Sequence, residues 1–161
     1  MIRKSLYKKF KDMGFRLGAE IGVRDGTNAV NMFECIPGVK LYLIDPWHKI
    51  KKYNAEEAYK KTISVVSKYE NVVIRRKSEY AVREFNDGYF DFVYIDGDHS
   101  YDSVMLDIIL WIRKIRPGGI ISGHDYRKSR KMGVKQAVDD YVRYHNLNLK
   151  LSAGRNWFWE T

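Results

Sequence analysis

The sequence contains a single cysteine, three prolines and no long apolar run. With Cys35 alone the chain cannot form an internal disulfide, which fits a reducing compartment and leads us to expect a cytoplasmic protein. No apolar stretch approaches the roughly 20 residues that a membrane span requires. The basic N-terminus lacks the apolar core of a secretory signal, because charged residues continue through it. We therefore expect a protein that is neither membrane-spanning nor secreted.

Acidic residues are outnumbered, with 20 Asp and Glu against 29 Lys and Arg and a formal net charge of +9. The basic residues cluster at 3–16, 49–61 and 127–135. Such an excess attracts anionic partners, including nucleic acids and acidic glycans. Because these residues fall on the polar sides of amphipathic patterns, we interpret most of them as solvated surface. Nucleic acid remains a candidate partner, although not the favoured one.

Repeats, low-complexity tracts and proline-rich linkers are missing as well, so residues 1–161 are predicted to form one domain. Segments in which every second residue, or every residue, is apolar alternate along the chain with segments whose apolar residues have helical spacing. The predicted strands are 17–23, 39–44, 72–75, 90–95, 119–122, 147–151 and 157–160. The predicted helices are 5–13, 27–34, 54–69, a short one from 78, 104–115 and 134–142.

This alternation predicts an α/β fold with a doubly wound, mostly parallel sheet, because a helix between two strands brings them together in parallel. The last two strands are separated by a short connection and are predicted to form an antiparallel hairpin. The N-terminal helix, within residues 1–16, is a candidate lid.

Polar or glycine residues follow five of the predicted strands, at 20–26, 45, 77–78, 96–99 and 124–125. The carboxyl ends of parallel strands meet at one edge of a sheet, and such folds bind ligands there. We therefore predict one ligand site built from these five segments.

Two cofactors suit this edge, a dinucleotide and S-adenosylmethionine, and both are expected to place ribose hydroxyls on Asp45. A dinucleotide needs its pyrophosphate against backbone N–H groups at a helix N-terminus, where Glu20 and Asp25 would add unfavourable negative charge. S-adenosylmethionine has no phosphate, and its sulfonium and amino groups are cationic. A rim of Glu20, Asp25 and Asp96 therefore favours S-adenosylmethionine.

Residues 20–26, Glu-Ile-Gly-Val-Arg-Asp-Gly, resemble motif I of class I S-adenosylmethionine-dependent methyltransferases. The run 90–101, with Pro-Gly-Gly at 117–119 and Gly-His-Asp-Tyr at 123–126, resembles the subfamily grouped with macrolide-sugar and capsule-associated O-methyltransferases. The resemblance implies a Rossmann-like sheet of seven strands with a reversed terminal hairpin. It also implies methyltransferase activity with S-adenosylmethionine as cofactor.

The resemblance assigns cofactor-binding roles residue by residue. It implies that Gly22 and Gly26 approach the methionine part, that Asp45 binds the ribose and that Ser78 lies near the adenine. The middle glycine of the usual motif is Arg24 here, so the loop must tolerate a side chain. Trp47 either covers the adenine face or packs in the core or a lid.

A hydroxyl acceptor must lose its proton, and His99 has the reference pKa of a general base, with Asp96 three residues before it. A divalent cation offers a second way to activate the hydroxyl. Asp96, His124 and Asp125 are the candidate ligands of Mg or Mn, with an imidazole where related enzymes are thought to use an oxygen. A softer metal, or none, stays open.

The favoured function is S-adenosylmethionine-dependent O-methylation of a sugar hydroxyl, on a glycan or a glycosylated small molecule. The sequence lacks an Asn or Asp followed by two prolines and an aromatic, which methyltransferases of exocyclic amines use, and Cys35 falls on a predicted helix away from the site. The alternatives are an RNA methyltransferase and a non-catalytic module that binds S-adenosylmethionine.

The chain offers little to close over an acceptor, namely residues 1–16, 47–53 and 127–132. We therefore predict an open cleft. Such a cleft suits a bulky or polymeric acceptor, or a lid that a second subunit of a homo-oligomer supplies.

Overall fold

A computed structural model of the protein describes residues 4–48 and 54–161. The helices are α1 (Lys4–Asp12), α2 (Thr27–Cys35), α3 (Ala55–Val66), α4 (Ser78–Ala81), α5 (Tyr101–Trp111) and α6 (Val134–His145). The strands are β1 (Leu17–Ile21), β2 (Lys40–Ile44), β3 (Asn71–Ile74), β4 (Phe90–Ile95), β5 (Ile115–Gly123), β6 (Lys150–Ser152) and β7 (Asn156–Glu160). Within the described residues, no helix is both long and apolar enough to cross a membrane.

Across the described ranges, seven strands form one sheet in the order β3-β2-β1-β4-β5-β7-β6. Strands β1 to β5 are parallel, whereas β7 runs antiparallel to β5 and β6 antiparallel to β7. The predicted doubly wound sheet with a reversed terminal hairpin is confirmed. The strand order changes direction between β1 and β4, so their carboxyl ends border the crevice where open α/β sheets bind ligands.

Helices cover both faces of the sheet. Helices α1, α2 and α3 pack on the face that carries Phe92 and Tyr94 of β4. Helices α4, α5 and α6 pack on the face that carries Val93 and Ile95 of the same strand. Successive side chains of a strand point to opposite faces, which explains why β4 reads as a continuous apolar run.

Helix α1 is part of the core in this structure. Leu6, Tyr7 and Phe10 are at most 1% exposed, and the rings of Phe10 and Phe92 stack with their centroids 4.4 Å apart. The spacing of these three residues gives α1 an apolar face that covers the sheet. Residues 4–12 thus pack on the sheet, and the lid role considered for residues 1–16 stays a prediction. Residues 1–3, and residues 49–53 of the predicted 47–53 cover, lie outside the described residues.

The predicted end of α5 is wrong. The apolar stripe predicts a helix over 104–115, but α5 ends at Trp111, and Ile115 is the first residue of β5, where it pairs with Phe90 of β4. Pro117 lies inside β5, next to the point where the pairing with β4 shifts register. Proline has no N–H to donate to a neighbouring strand, so an irregular position of this kind tolerates it.

Candidate active site

The loops that follow β1 and β4 touch at Gly22. This residue has a φ of 86°, and a Cβ built on it would lie 2.4 Å from the backbone oxygen of Asp96. The Asp96 N–H donates to the Ile21 carbonyl oxygen over 2.7 Å. Only glycine permits so close an approach of two backbones. The structure therefore brings two predicted site residues, Gly22 and Asp96, together at the crevice.

Asp45 holds the loop that follows β1. Its Oδ2 accepts hydrogen bonds from the N–H groups of Val23 and Arg24, each over 3.0 Å, and its Oδ1 accepts one from the N–H of Trp47 over 2.7 Å. Arg24 adopts a φ of 59°, the left-handed region in which the usual motif has glycine. The carboxylate of Asp45 thus fixes this loop, while its predicted contact with a ribose stays a prediction.

The ring of Trp47 lies in the core. The side chain is 2% exposed, its Nε1–H donates to the Arg24 carbonyl oxygen over 2.7 Å, and it meets the Tyr59 ring edge-on. Of the two roles considered from the sequence, the structure places Trp47 in the packing role. Its buried ring holds the loop through the hydrogen bond to Arg24 and is not exposed beside that loop.

Glu20 is buried at the end of β1 and connects to α1 through α2. Its Oε1 accepts from Asn28 Nδ2 over 2.8 Å, and Asn28 Oδ1 accepts from the Tyr7 hydroxyl over 2.6 Å. These bonds fix the position of a fully buried carboxylate beside the crevice. Asn28 and Tyr7 were not identified from the sequence. Asn28 is a polar residue in the first turn of α2, and this position alone does not indicate a contact with Glu20.

Asp25 and Gly26 face α3. The Asp25 carboxylate lies 2.7 Å from the Lys61 ammonium and accepts the Thr27 N–H. Partial burial opposes ionisation of Asp25, but these two donors outweigh it and lower its pKa. A Cβ on Gly26 would lie 2.8 Å from a Val65 methyl carbon. Both residues have a packing or pairing role in this structure, and their contact with a cofactor stays a prediction.

Ser78 begins α4 and donates its hydroxyl hydrogen bond to Asp107 of α5. Asp107 is 5% exposed, and burial raises its pKa to about 6 against the Ser78 hydrogen bond. Asp107 was not among the site residues predicted from the sequence. The available signal was its position on the buried face of α5, one residue before Ile108 and three after Val104.

Four side chains at the ends of β4 and β5 form what we call the reactive cluster: Asp96, His99, His124 and Asp125. His99 Nε2 lies 3.6 Å from Asp96 Oδ1 and 3.5 Å from Asp125 Oδ2. His124 Nδ1 lies 3.3 Å from the same Asp125 oxygen. These distances are longer than most hydrogen bonds, and an imidazole is attracted to the carboxylates as a charge only when it is protonated. The predicted catalytic and metal-binding residues are therefore adjacent.

The carboxylates of the cluster act on His99. Asp96 is the main cause that raises the pKa of His99 above its usual value, with contributions from Asp125 and Asp98, whereas partial burial opposes the shift. Asp98 itself accepts the Ser100 N–H over 2.7 Å in the turn that leads into α5, and Ser100 rather than Asp98 caps that helix. The imidazole of His99 is thus a proton acceptor of raised basicity beside the crevice.

A metal ion fits part of this cluster. Ligand atoms of Asp96, His124 and Asp125 all lie within 4.8 Å of one another. The buried His124 Nδ1 has no hydrogen-bond partner among the described residues. Two carboxylate oxygens and one imidazole nitrogen are donors that Mn²⁺ or Zn²⁺ accept readily and that Mg²⁺ accepts less well.

A cavity of about 540 Å³ lies between α2 and α3, and no predicted site residue lines it. Around the reactive cluster, Asp96, Asp98, His99, His124 and Trp157 pack closely and leave no space for a water molecule between them. Because the crevice at the strand ends is where this architecture binds ligands, we assign the site to that crevice and not to the cavity.

A family model described as a methyltransferase domain matches residues 19–126. The chain belongs to this methyltransferase family. The matched segment begins in β1, includes Gly22 after β1 and Asp45 after β2, and ends just after the reactive cluster. The predicted S-adenosylmethionine-dependent methyltransferase is confirmed.

Solved structures share the fold of this methyltransferase. The O-methyltransferase NovP has a TM-score of 0.73 at 14% identity, over 98% of this chain and 78% of NovP. An O-methyltransferase from Bacillus cereus in complex with S-adenosylhomocysteine has a TM-score of 0.71 at 16% identity, over 98% and 80%. MycE, from the mycinamycin biosynthetic pathway, in complex with Mg, S-adenosylhomocysteine and mycinamycin VI, has a TM-score of 0.63 at 17% identity, over 98% and 47%.

The TM-scores show that the chain shares the fold of these O-methyltransferases. None of the curated proteins matches the chain. The acceptor of this methyltransferase therefore has to be argued from its own site.

Proposed function

We propose that this protein transfers the methyl group of S-adenosylmethionine to a hydroxyl oxygen of a sugar, on a glycan or a glycosylated small molecule. One observation carries the proposal. His99 Nε2, a nitrogen of raised basicity, lies 3.5 Å from Asp125 and 3.6 Å from Asp96, at the edge of the crevice between β1 and β4.

The crevice suits a cationic methyl donor. Glu20 is fully buried at the end of β1, and Asp96 stands at the end of the adjacent β4. A sulfonium and an ammonium in the crevice gain charge attraction from these two carboxylates, whereas a pyrophosphate would be repelled by them. Ser78 and Asp45, at the ends of β3 and β2, are the proposed neighbours of the adenosine.

The chemical step needs an acceptor oxygen in line with the methyl carbon and a group that takes its proton. In the proposed step the hydroxyl oxygen attacks the methyl carbon while the carbon–sulfur bond breaks, and the sulfonium becomes the neutral thioether of S-adenosylhomocysteine. The hydroxyl proton moves to His99 Nε2. The carboxylates of Asp96 and Asp125 stabilise the imidazolium that results.

A divalent cation held by Asp96, His124 and Asp125 would lower the pKa of the acceptor hydroxyl when bound. A metal site is proposed here because the three ligand atoms lie within 4.8 Å of one another and because the buried His124 Nδ1 has no hydrogen-bond partner among the described residues. Mn²⁺ suits an imidazole ligand better than Mg²⁺ does. We therefore propose that Mn²⁺ supports a higher rate than Mg²⁺.

A methyl-transfer assay with labelled S-adenosylmethionine and a panel of oligosaccharides tests the proposal. We expect His99→Ala to reduce the rate by about 10²–10⁴-fold, the usual contribution of a general base. His145→Ala is the matched control, because His145 is exposed at the end of α6. Undiminished transfer by His99→Ala would refute the assignment of the base.

The site of methylation tests the acceptor class. Mass spectrometry and NMR of the product should place the new methyl group on a sugar oxygen. A methylated nitrogen or carbon would contradict the proposal, as would transfer to RNA alone. For the metal, treatment with a chelator should lower the rate and Mn²⁺ should restore it, whereas an unchanged rate would exclude a metal at the cluster.

A further inference from the structure

The loop that leaves the reactive cluster is strongly basic. Residues 127–131, Arg-Lys-Ser-Arg-Lys, join β5 to α6 directly after Tyr126, and all five are exposed. We call this segment the basic loop. It places four cationic side chains within five residues at the carboxyl edge of the sheet, beside the proposed methyl-transfer site.

Many other cations of the described residues form ion pairs with carboxylates. Examples are Lys61 with Asp25 and Arg116 with Asp91, each at 2.7 Å. In the basic loop only Arg127 has such a contact within the described residues, between its Nε and Asp125 Oδ1 at 3.7 Å. The other three cations of the loop are exposed, with no ion pair to a described residue, so they are available to an anionic ligand.

Backbone contacts hold both ends of the segment that contains the basic loop, one of them at the His99 backbone. The N–H of Gly133, where the loop enters α6, donates to the His99 carbonyl oxygen over 2.8 Å. A Cβ on Gly133 would lie 2.3 Å from the Tyr101 nitrogen, so the two segments are in close contact. At the other end, the Tyr126 N–H donates to the Arg155 carbonyl oxygen over 3.0 Å. A ligand on the basic loop therefore lies within reach of His99.

The edge of the sheet thus has two sides of opposite charge. Glu20 and Asp96 lie on the side of β1 and β4, where the proposed donor is cationic. The basic loop lies beyond β5, on the opposite side of the reactive cluster. The cations of the basic loop repel one another. An anionic acceptor would neutralise them, whereas a neutral acceptor would not.

We propose that the acceptor is an acidic saccharide, in which a carboxylate or sulfate bound by the basic loop stands within one or two sugar units of the methylated hydroxyl. This inference rests on the proposed function, because it takes His99 as the position of the reacting hydroxyl. The guanidinium groups of Arg127 and Arg130 offer paired donors that match a carboxylate or sulfate.

A nucleic acid is the less fitting anion. Single-stranded RNA is held by a basic groove that follows successive phosphates and by aromatic side chains that stack on its bases. Here four cations fall within one short loop, and Lys135, at the start of α6, is already paired with Asp139. The arrangement suits one or two localised anionic groups better than a continuous backbone.

The test compares binding of four probes by calorimetry: an oligogalacturonate, a sulfated oligosaccharide, a neutral maltooligosaccharide of the same length and a single-stranded RNA. The double variant Arg130→Gln with Lys131→Gln removes two charges from the basic loop. The double variant Lys8→Gln with Lys11→Gln removes two exposed charges from α1 and is the matched control.

We expect at least one acidic oligosaccharide to bind the wild type more tightly than the neutral one, and the loop variant to weaken that binding about tenfold at low salt. The α1 variant should bind like the wild type. The two acidic probes distinguish a carboxylate from a sulfate as the recognised group. Equal binding of neutral and acidic probes, equal loss in both variants, or tighter binding of RNA would overturn the inference.

S-adenosylhomocysteine separates failure of this inference from failure of the proposed function. Both variants should bind it with the affinity of the wild type, since neither touches the crevice between β1 and β4. If S-adenosylhomocysteine binds and the acidic probes do not, the acceptor assignment alone is wrong. If S-adenosylhomocysteine does not bind, the proposed function fails irrespective of the oligosaccharides.

Discussion

Replacing Asp107 by Asn should make the stability of the protein less sensitive to pH. Asp107 is 5% exposed on α5, and burial raises its pKa from 3.8 to about 6. In the folded protein it therefore holds a proton at pH values at which the unfolded chain has released it. The stability associated with this proton is fully present below about pH 4 and is lost as the pH rises through about 6.

The size of the effect follows from the shift in pKa. A difference of about two units between the folded and unfolded states corresponds to about 3 kcal/mol. Asparagine keeps an oxygen that can accept the Ser78 hydrogen bond but carries no charge to desolvate. The free energy of unfolding of Asp107→Asn minus that of the wild type should therefore rise by about 3 kcal/mol between pH 4 and pH 7.

Urea unfolding, followed by circular dichroism at a series of pH values, measures this difference directly. Asp102→Asn is the control, because Asp102 is an exposed acid in the first turn of the same helix. Its difference from the wild type should vary by less than about 0.5 kcal/mol over this range. A difference for Asp107→Asn that stays flat, or that falls as the pH rises, would refute the argument that burial destabilises the ionised form.

Further variants test the loops and the cluster. Gly22→Ala should abolish binding of S-adenosylhomocysteine and destabilise the fold by about 2 kcal/mol more than Gly14→Ala. Both glycines have a left-handed φ, but of the two only Gly22 has a backbone atom within 3 Å of the position that a Cβ would take. Equal losses of stability in urea unfolding would contradict this. The NMR titration of the His99 ring should have a midpoint above 6.5, so that the neutral base accumulates only as the pH rises past it, and Asp125→Asn should move the midpoint to lower pH; an unchanged midpoint would show that Asp125 does not act on the ring. Asn54→Ala should cost about 1 kcal/mol of unfolding free energy, since its side chain accepts an N–H of the first turn of α3, and no loss would mean that solvent replaces this cap.

The sheet and the reactive cluster could be predicted from the sequence because both follow from one rule. Apolar runs that end in polar residues gave β1, β2, β4 and β5, and parallel strands bring those ends to one edge. This is why Asp96, His99, His124 and Asp125 were grouped without knowledge of their distances. The strand β4 was predicted with the bounds that the structure has, since charged and glycine residues flank it closely.

Other features depend on tertiary contacts that periodicity does not encode. Pro117 indicated the end of a helix, but the irregular pairing of β5 with β4 accommodates it. Gly26 fits a cofactor-binding motif, yet its lack of a side chain is required by Val65 of α3. Asp107 could be noticed only as an acid on a buried helix face, and its partner Ser78 lies 29 residues away in the chain.

The central claim is that the crevice between β1 and β4 binds S-adenosylmethionine. Calorimetric titration of the wild-type protein with S-adenosylhomocysteine and with NAD tests it most directly. We predict that S-adenosylhomocysteine binds at one site per chain and that NAD does not bind, because Glu20 and Asp96 attract the ammonium group that S-adenosylhomocysteine shares with the methyl donor and repel a pyrophosphate. Binding of NAD without binding of S-adenosylhomocysteine would contradict the account.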